Sequence, residues 1–348
     1  MSTAEFLASK HAAFLRRCLD GLPQPYEGLD TSRMTIVFFC VSGLDLLGEL
    51  ESLPAGRRAE IVDWIYGQQL RPVAEGRAGW RGWACAPEKE TGQLALSYAA
   101  LASLLALGDD LGRVEREGLG ALLRACQQAD GSFCAQTEPS ESDVRFVYCA
   151  LALARFLGDA GLVNVAQALD FLRKCLNYDG AFGQRPGSES HGGSTYCVLA
   201  TLALLGRLNS SFFSQQELDR LKRWLLLRQA RGFHGRANKP DDSCYTFWIG
   251  ASLALLDSLH LVDAAAARSF TLACQSPVIG GFAKFSDSDP DALHTYLSLG
   301  GLSLLGEKSL APLDPALNLS RRLVDLLPPM RPATPPSPTP LPNCCAES

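Results

Sequence analysis

No segment of the sequence offers the roughly 20 consecutive apolar residues that a bilayer-spanning helix needs,. No long basic run is present either, and the net charge is −5. Nucleic acid and anionic membrane surface are therefore poor candidates for main partners, because both select clustered positive charge. The N-terminal stretch from Met1 to Leu22 lacks the apolar core of a secretory signal. Glu5, Lys10, Arg16, Arg17 and Asp20 interrupt it and leave the pattern of an amphipathic helix. None of the twelve cysteines forms a CxxC pair. Most lie inside apolar runs such as Tyr148-Cys149-Ala150-Leu151, which suits reduced, buried thiols and a cytoplasmic location better than a secreted disulfide framework.

What is present is a repeat. A glycine followed closely by an aromatic recurs at Gly79-Trp80, Gly131 with Phe133, Gly180 with Phe182, Gly232-Phe233 and Gly281-Phe282, at intervals of 52, 49, 52 and 49 residues. Amphipathic segments precede most of these glycines, for example Val165 to Cys175 and Leu221 to Arg228. A tyrosine opening a small- and leucine-rich run follows each, at Tyr98, Tyr148, Tyr196, Tyr245 and Tyr296. Each unit reads as helix, glycine loop, helix. The first helix is amphipathic; the second is apolar nearly all round and so buried on most sides. A period near 50 with two helices per unit predicts an all-α fold of stacked hairpins. The favoured arrangement is an α/α barrel with outer and inner helical rings; an open solenoid is the alternative.

Helix-start residues precede several inner helices. They are His191-Gly192-Gly193-Ser194, Pro240-Asp241-Asp242-Ser243, and Ser286-Asp287-Ser288-Asp289-Pro290, the last with a proline suited to the first helical position,. Polar groups thus collect at one barrel mouth, where helix N-termini attract anions. Asp242, Cys244 and His294 offer a carboxylate, a thiolate and an imidazole, a three-ligand set that leaves one zinc position open. Spacing alone leaves a buried cysteine and a hydrogen-bonded core histidine as the plainer reading. Arg231, Arg236 and Lys239, with His191 and Tyr245, form a basic group suited to a diphosphate. A solvated surface patch competes with it. Phe38, Phe39, Phe146, Tyr148, Tyr196, Phe247, Trp248 and Tyr296 could line an apolar funnel or simply be core.

Residues 1–327 are expected to form the barrel and residues 328–348 a proline-rich, disordered tail, with eight prolines between Pro328 and Pro342,. The terminal Cys345-Ala346-Glu347-Ser348 has the outline of a prenylation signal. The acidic residue at its third position is unfavourable, so chance is the simpler account.

Five strings carry a family resemblance: SDVRFVYC from Ser142, ESHGGSTYC from Glu189, HGRANKP from His234, DSCY from Asp242, and GGFAKFSDSDPDALH from Gly280. They resemble the β subunits of the protein prenyltransferases, in the type I geranylgeranyl branch, and the likeness runs from about Phe6 to Leu326. The resemblance implies an α/α barrel that pairs with a separate helical α subunit. It implies transfer of the C20 group of geranylgeranyl diphosphate to the cysteine thiol of a C-terminal CaaX motif, preferably CaaL. Acceptors would be of the Rho/Rac small-GTPase kind. Zn2+ would be held by Asp242, Cys244 and His294, and the diphosphate by His191, Arg236, Lys239 and Tyr245. Glu141 and Arg145 match residues that hold the carboxyl end of the acceptor peptide.

Two positions favour this branch over the farnesyl enzyme. Lys284 falls where the farnesyl enzyme has an aspartate that supports magnesium, so magnesium should not be required. Thr35 falls where that enzyme has a large aromatic, which leaves room for a fourth isoprene unit. Leu297 also replaces a bulkier aromatic of the family. Two departures stand out: the Trp83 to Gln93 stretch is short, and Gln93 replaces a histidine near the peptide carboxylate. Glutamine donates a hydrogen bond but cannot become cationic. Three readings compete: a farnesyltransferase β subunit, a related terpene cyclase, and a non-catalytic helical scaffold. A cyclase would need a DxDD-type acidic run, which the chain lacks.

Overall fold

The structure, a computed structural model, describes residues 5–22, 28–29, 31–70, 78–82 and 91–332. Most of the short Trp83 to Gln93 stretch, the tail from residue 333 onward and the terminal tetrapeptide lie outside the described residues.

Helices dominate. The outer helices are α1 (Ala8–Asp20), α3 (Ala55–Gly67), α5 (Arg116–Cys126), α7 (Val165–Lys174), α9 (Gln215–Leu226) and α11 (Ala264–Ala273). The inner helices are α2 (Arg33–Leu46), α4 (Leu94–Ala106), α6 (Val144–Leu157), α8 (Gly192–Leu204), α10 (Tyr245–Leu255) and α12 (Ala292–Leu304). Each inner helix packs on the next, from α2 through α4, α6, α8 and α10 to α12, and α12 packs back on α2. The ring is closed, so the solenoid alternative does not hold. Among the described residues, no helix is long and apolar enough to cross a membrane.

The two helix classes differ as their sequences dictate. Helix α9 buries only Leu221, Trp224 and Leu225 and is started by a capping box between Ser214 and Glu217,. Helix α4 buries nearly every residue, because outer helices cover its back and inner neighbours its sides.

The repeated glycine has a steric cause. A Cβ at Gly131 would lie 1.9 Å from the carbonyl oxygen of Gln167 in α7, and one at Gly180 would lie 2.8 Å from the carbonyl carbon of Arg220 in α9. Only glycine lets the loop press against the next outer helix, and both positions have positive φ,.

Glutamines stitch the outer ring. Gln127 donates to the Asn164 carbonyl at 2.8 Å and accepts from the Asn164 N–H at 2.7 Å, at the start of α7. Gln229 does the same with Asp263 at the start of α11. Gln275 donates to the Glu5 carbonyl at 2.7 Å and accepts from Leu7 N–H, joining the last repeat to α1.

A C-terminal hairpin, β5 (Leu313–Asp314) with β6 (Leu319–Ser320), enters the barrel from the end where the inner helices finish. Its base is tied there: Ala311 N–H donates to the Leu46 carbonyl, and Ser320 and Arg322 bond Asp45. Its tip meets the repeat tyrosines. Tyr98, Tyr148 and Tyr296 donate to the carbonyls of Leu317, Ala316 and Asn318 at 2.9, 3.1 and 2.6 Å. Three of the five repeat tyrosines therefore anchor the floor of the lumen, with their rings in the wall. Arg331 continues the chain beside the end of α6, exchanging backbone bonds with Gly158 and Ala160.

Candidate metal centre and anion-binding rim

Each outer helix leads into an inner one, so all six inner helices start at the same mouth, and the sequence-predicted residues gather there. Asp242 and Cys244 lie in the turn that opens α10, and His294 is in the first turn of α12 beside it. One donor atom from each of these three lies within 4.8 Å of the others. Donors on a tetrahedral zinc, each about 2.0–2.3 Å from it, are about 3.3–3.8 Å apart, which small side-chain rotations here would reach. The donor types and spacing fit that ion. Asp242 and Cys244 converge because the Asp242 carboxylate accepts the Cys244 N–H at 3.0 Å, before regular helix begins.

Asp291, which the sequence reading passed over, sets His294. It caps α12, accepting the His294 N–H at 2.8 Å, and also bonds His294 Nδ1 at 2.6 Å. Nε2 then points to Asp242, 3.4 Å away. A carboxylate on one ring nitrogen that leaves the other for a metal is the usual second contact of a metal-binding histidine. An aspartate three residues before a helical histidine was the available signal. Pro290 is not the first helical residue; it lies in β4 (Pro290–Asp291), paired with β3 (Phe282–Ala283), and this pairing moves the cap to Asp291.

The cluster favours positive charge. Burial opposes a charged His294, but Asp242 and Asp291 outweigh it and push its pKa up to about 9. Burial, and then the Asp242 charge, push the Cys244 thiol well above its ordinary value. Asp242 is held below the ordinary carboxylate value: burial works against this, and bonds from His294 and Cys244 prevail. Lys284 is exposed, with Nζ 3.9 Å from the Asp242 carboxylate.

One helix over, His191 is the N-cap of α8. Its Nδ1 accepts the Gly193 N–H at 3.0 Å, and its Nε2 lies 2.9 Å from the Tyr245 hydroxyl. Burial and the Arg236 charge lower its pKa, so the ring is neutral with its proton on Nε2,. Arg236 pairs with Glu189 at 3.0 Å. Lys239 and Arg231 are exposed on the same loop, the latter held by its backbone N–H to Asp241. Arg145 in the first turn of α6 bonds Glu141 at 2.8 Å and the capping Asp143. Gln93, just before α4, donates to Gln136 at 3.2 Å. Thr35 is half-buried in the first turn of α2. Leu297 is buried one turn below His294.

Aromatic rings run below this rim. Phe38 contacts Tyr98 and Tyr296, Tyr98 contacts Tyr148, Tyr148 contacts Tyr196, and Tyr196 contacts Phe247 and Trp248, with centroids 5.0–5.7 Å apart. The result is an apolar wall between a polar mouth and the hairpin floor.

The model of the prenyltransferase alpha-alpha toroid domain matches residues 6–319. The chain belongs to the prenyltransferase α-α toroid family. As a member it is a prenyl-group transferase. The geranylgeranyl transferase type-1 β subunit of Dictyostelium discoideum is 37% identical over 90% of this chain and 95% of that one. The corresponding subunit of Arabidopsis thaliana is also 37% identical, over 91% and 90%. A farnesyltransferase β subunit of Schizosaccharomyces pombe is 33% identical over 86% and 78%. Among solved structures, the geranylgeranyltransferase-I of Candida albicans complexed with GGPP is similar, with a TM-score of 0.85 and 26% identity over 92% of this chain. A type II terpene cyclase from Scytonema shares the fold alone, at 15% identity and a TM-score of 0.56.

Proposed function

We propose that this chain is the catalytic β subunit of a cytoplasmic type I protein geranylgeranyltransferase. It pairs with a prenyltransferase α subunit and transfers the C20 group of geranylgeranyl diphosphate to the cysteine of C-terminal CaaX sequences, preferably CaaL, of Rho/Rac-type small GTPases. The observation that carries the reading is the convergence of Asp242, Cys244 and His294 at the mouth that also holds the His191–Tyr245 pair.

Asp242, Cys244 and His294 would hold Zn2+, which when bound would supply positive charge that favours the thiolate form of an acceptor cysteine at neutral pH,. Asp291 fixes the His294 ring so that Nε2 faces the site. The acceptor sulfur attacks C1 of the isoprenoid. The C1–O bond breaks, its electron pair leaves with the diphosphate, and a thioether forms. Negative charge grows on the phosphate oxygens. His191 donates through Nε2–H to the Tyr245 oxygen, which frees the Tyr245 O–H for the diphosphate,. Arg236 and Lys239 add charge. Lys284 supplies a fixed ammonium in place of magnesium, so turnover proceeds without that ion. Glu141 and Arg145 position the acceptor carboxyl end, and Thr35 leaves depth for the fourth isoprene unit.

Co-expression with a family α subunit tests this. The heterodimer should transfer from the C20 diphosphate to a peptide ending in Leu, and less well from the C15 diphosphate to one ending in Ser. The opposite preference would make it a farnesyltransferase. No transfer with either donor would leave the scaffold reading.

A further inference from the structure

Helices α1 and α2 pack against each other and are antiparallel, α1 running toward the mouth and α2 away from it. Gly43 of α2 marks their register. A Cβ there would lie 2.7 Å from Leu15 Cδ1 of α1, so the Leu15 side chain sits against the α2 backbone. Cys18 is three residues beyond Leu15 on α1, and Cys40 is three residues before Gly43 on α2. Antiparallel packing that sets Leu15 opposite Gly43 therefore sets Cys18 opposite Cys40, and their thiols share a hydrogen bond. A glycine at the contact lets two helices approach at the short end of the usual spacing of about 8–10 Å between axes. That favours the Cα separation of about 4.4–6.8 Å that a disulfide spans.

The two thiols differ in access and in their hold on a proton. Cys40 is fully buried. Cys18 is half-buried and lines a recess of about 360 Å3 between α1, α2 and α3, with Arg33, Ile36, Arg57 and Trp64 in its wall. Arg57 pairs there with Asp20 and Glu60 at 3.2 and 2.9 Å. The Cys40 S–H donates to Cys18. That bond, and then the Arg17 charge, holds the Cys18 thiol below its ordinary value, against burial and the Asp291 charge. The same bond and burial push Cys40 well above its own. Elsewhere burial pushes the thiols of Cys126, Cys149, Cys175 and Cys274 up to about 12. Cys18 thus combines access with thiolate character, the form that reacts with oxidants, and Cys40 stands behind it with a proton to give.

We propose that Cys18 and Cys40 form a redox modification site, in which a small hydroperoxide such as hydrogen peroxide oxidises Cys18 and Cys40 resolves the product to a disulfide. The Cys18 sulfur attacks one peroxide oxygen and the O–O bond breaks. The second oxygen leaves as hydroxide and is protonated to water. Cys18 is then a sulfenic acid: the sulfur has lost two electrons and the peroxide has gained them. The Cys40 sulfur next attacks the Cys18 sulfur, the S–O bond breaks, and the departing hydroxide leaves as water with the Cys40 proton. The new S–S bond tethers outer helix α1 to inner helix α2, and a thiol reductant reverses it. Neither cysteine belongs to the Asp242, Cys244 and His294 set, so the site stands whether or not the prenyl-transfer reading does.

Peptide mass spectrometry of the α–β heterodimer tests this, after brief treatment with hydrogen peroxide, alkylation of the remaining thiols and digestion without reductant. A peptide pair joined through Cys18 and Cys40 should appear, lighter than its two parts by two hydrogens, and dithiothreitol should remove it. Cys40→Ser should lose the link and leave Cys18 as a sulfenic acid that dimedone traps. Cys18→Ser should leave Cys40 reduced. Wild type in which both thiols stay reduced under peroxide, or in which Cys18 joins a different cysteine, would overturn the site, whether or not the variants fold. So would a Cys18–Cys40 link that forms only once the heterodimer has been unfolded in denaturant.

Discussion

His294 lies between two carboxylates, so on the proposed reading a metal ion would have to displace a proton from its Nε2. With His294 raised to about 9 and the Cys244 thiol raised further, metal uptake near neutral pH should release about two protons,. Calorimetry in buffers of different ionisation enthalpy measures this, and a proton count near zero would contradict the ligand set. Cys244→Ala should remove zinc from the purified heterodimer; retention of stoichiometric zinc would reject the assignment. Asp291→Asn should keep the cap but weaken metal binding about 10–100-fold, the usual scale for such a partner. Lys284→Asp should create magnesium dependence, and an unaltered metal profile would count against charge replacement. The candidate ligands were readable as residue types. Asp291 was not, because several acidic residues precede α12 and only the β3–β4 pairing selects one as its cap.

Helix α1 is tied to the last repeat through His11. Its Nδ1 accepts the Gly281 N–H at 2.9 Å, its Nε2 faces Gln275 Oε1 at 3.2 Å, and the ring stacks on Phe282. Burial lowers its pKa to about 4, against the Gln275 bond. A protonated Nδ1 cannot accept, and the unfolded chain takes up that proton first, near pH 6.5. The contribution is thus complete above pH 6.5 and is lost as pH falls toward 4, by up to about 3 kcal/mol. Thermal melts should show His11→Asn less stable at pH 7.5 but with a flatter decline between pH 6.5 and 4. Parallel declines would remove His11 from the account. The helices themselves were legible from apolar periodicity. The glutamine stitches were not, since a glutamine after a helix carries no pattern until the next helix start is placed beside it.

In the closed ring, the depth between rim and floor would set the length of isoprenoid that the proposed reaction accepts. Thr35 enters on α2, next to α12, and the hairpin tip closes the far end. Thr35→Trp should shift donor preference toward C15, because five carbons at about 0.8 kcal/mol each would lose their place. Steady-state kinetics with both donors checks it, and an unchanged C20 preference would mean that chain length is set elsewhere.

From the sequence alone came the helical repeat, the inner and outer classes and the grouping of polar residues at inner-helix starts. These follow from local apolar periodicity and turn chemistry, which act within a few dozen residues. Ring closure, the hairpin floor and the choice of Asp291 as cap were decided only by tertiary structure. Each depends on contacts between residues dozens to hundreds of positions apart, and no local preference encodes which of many equivalent partners will meet.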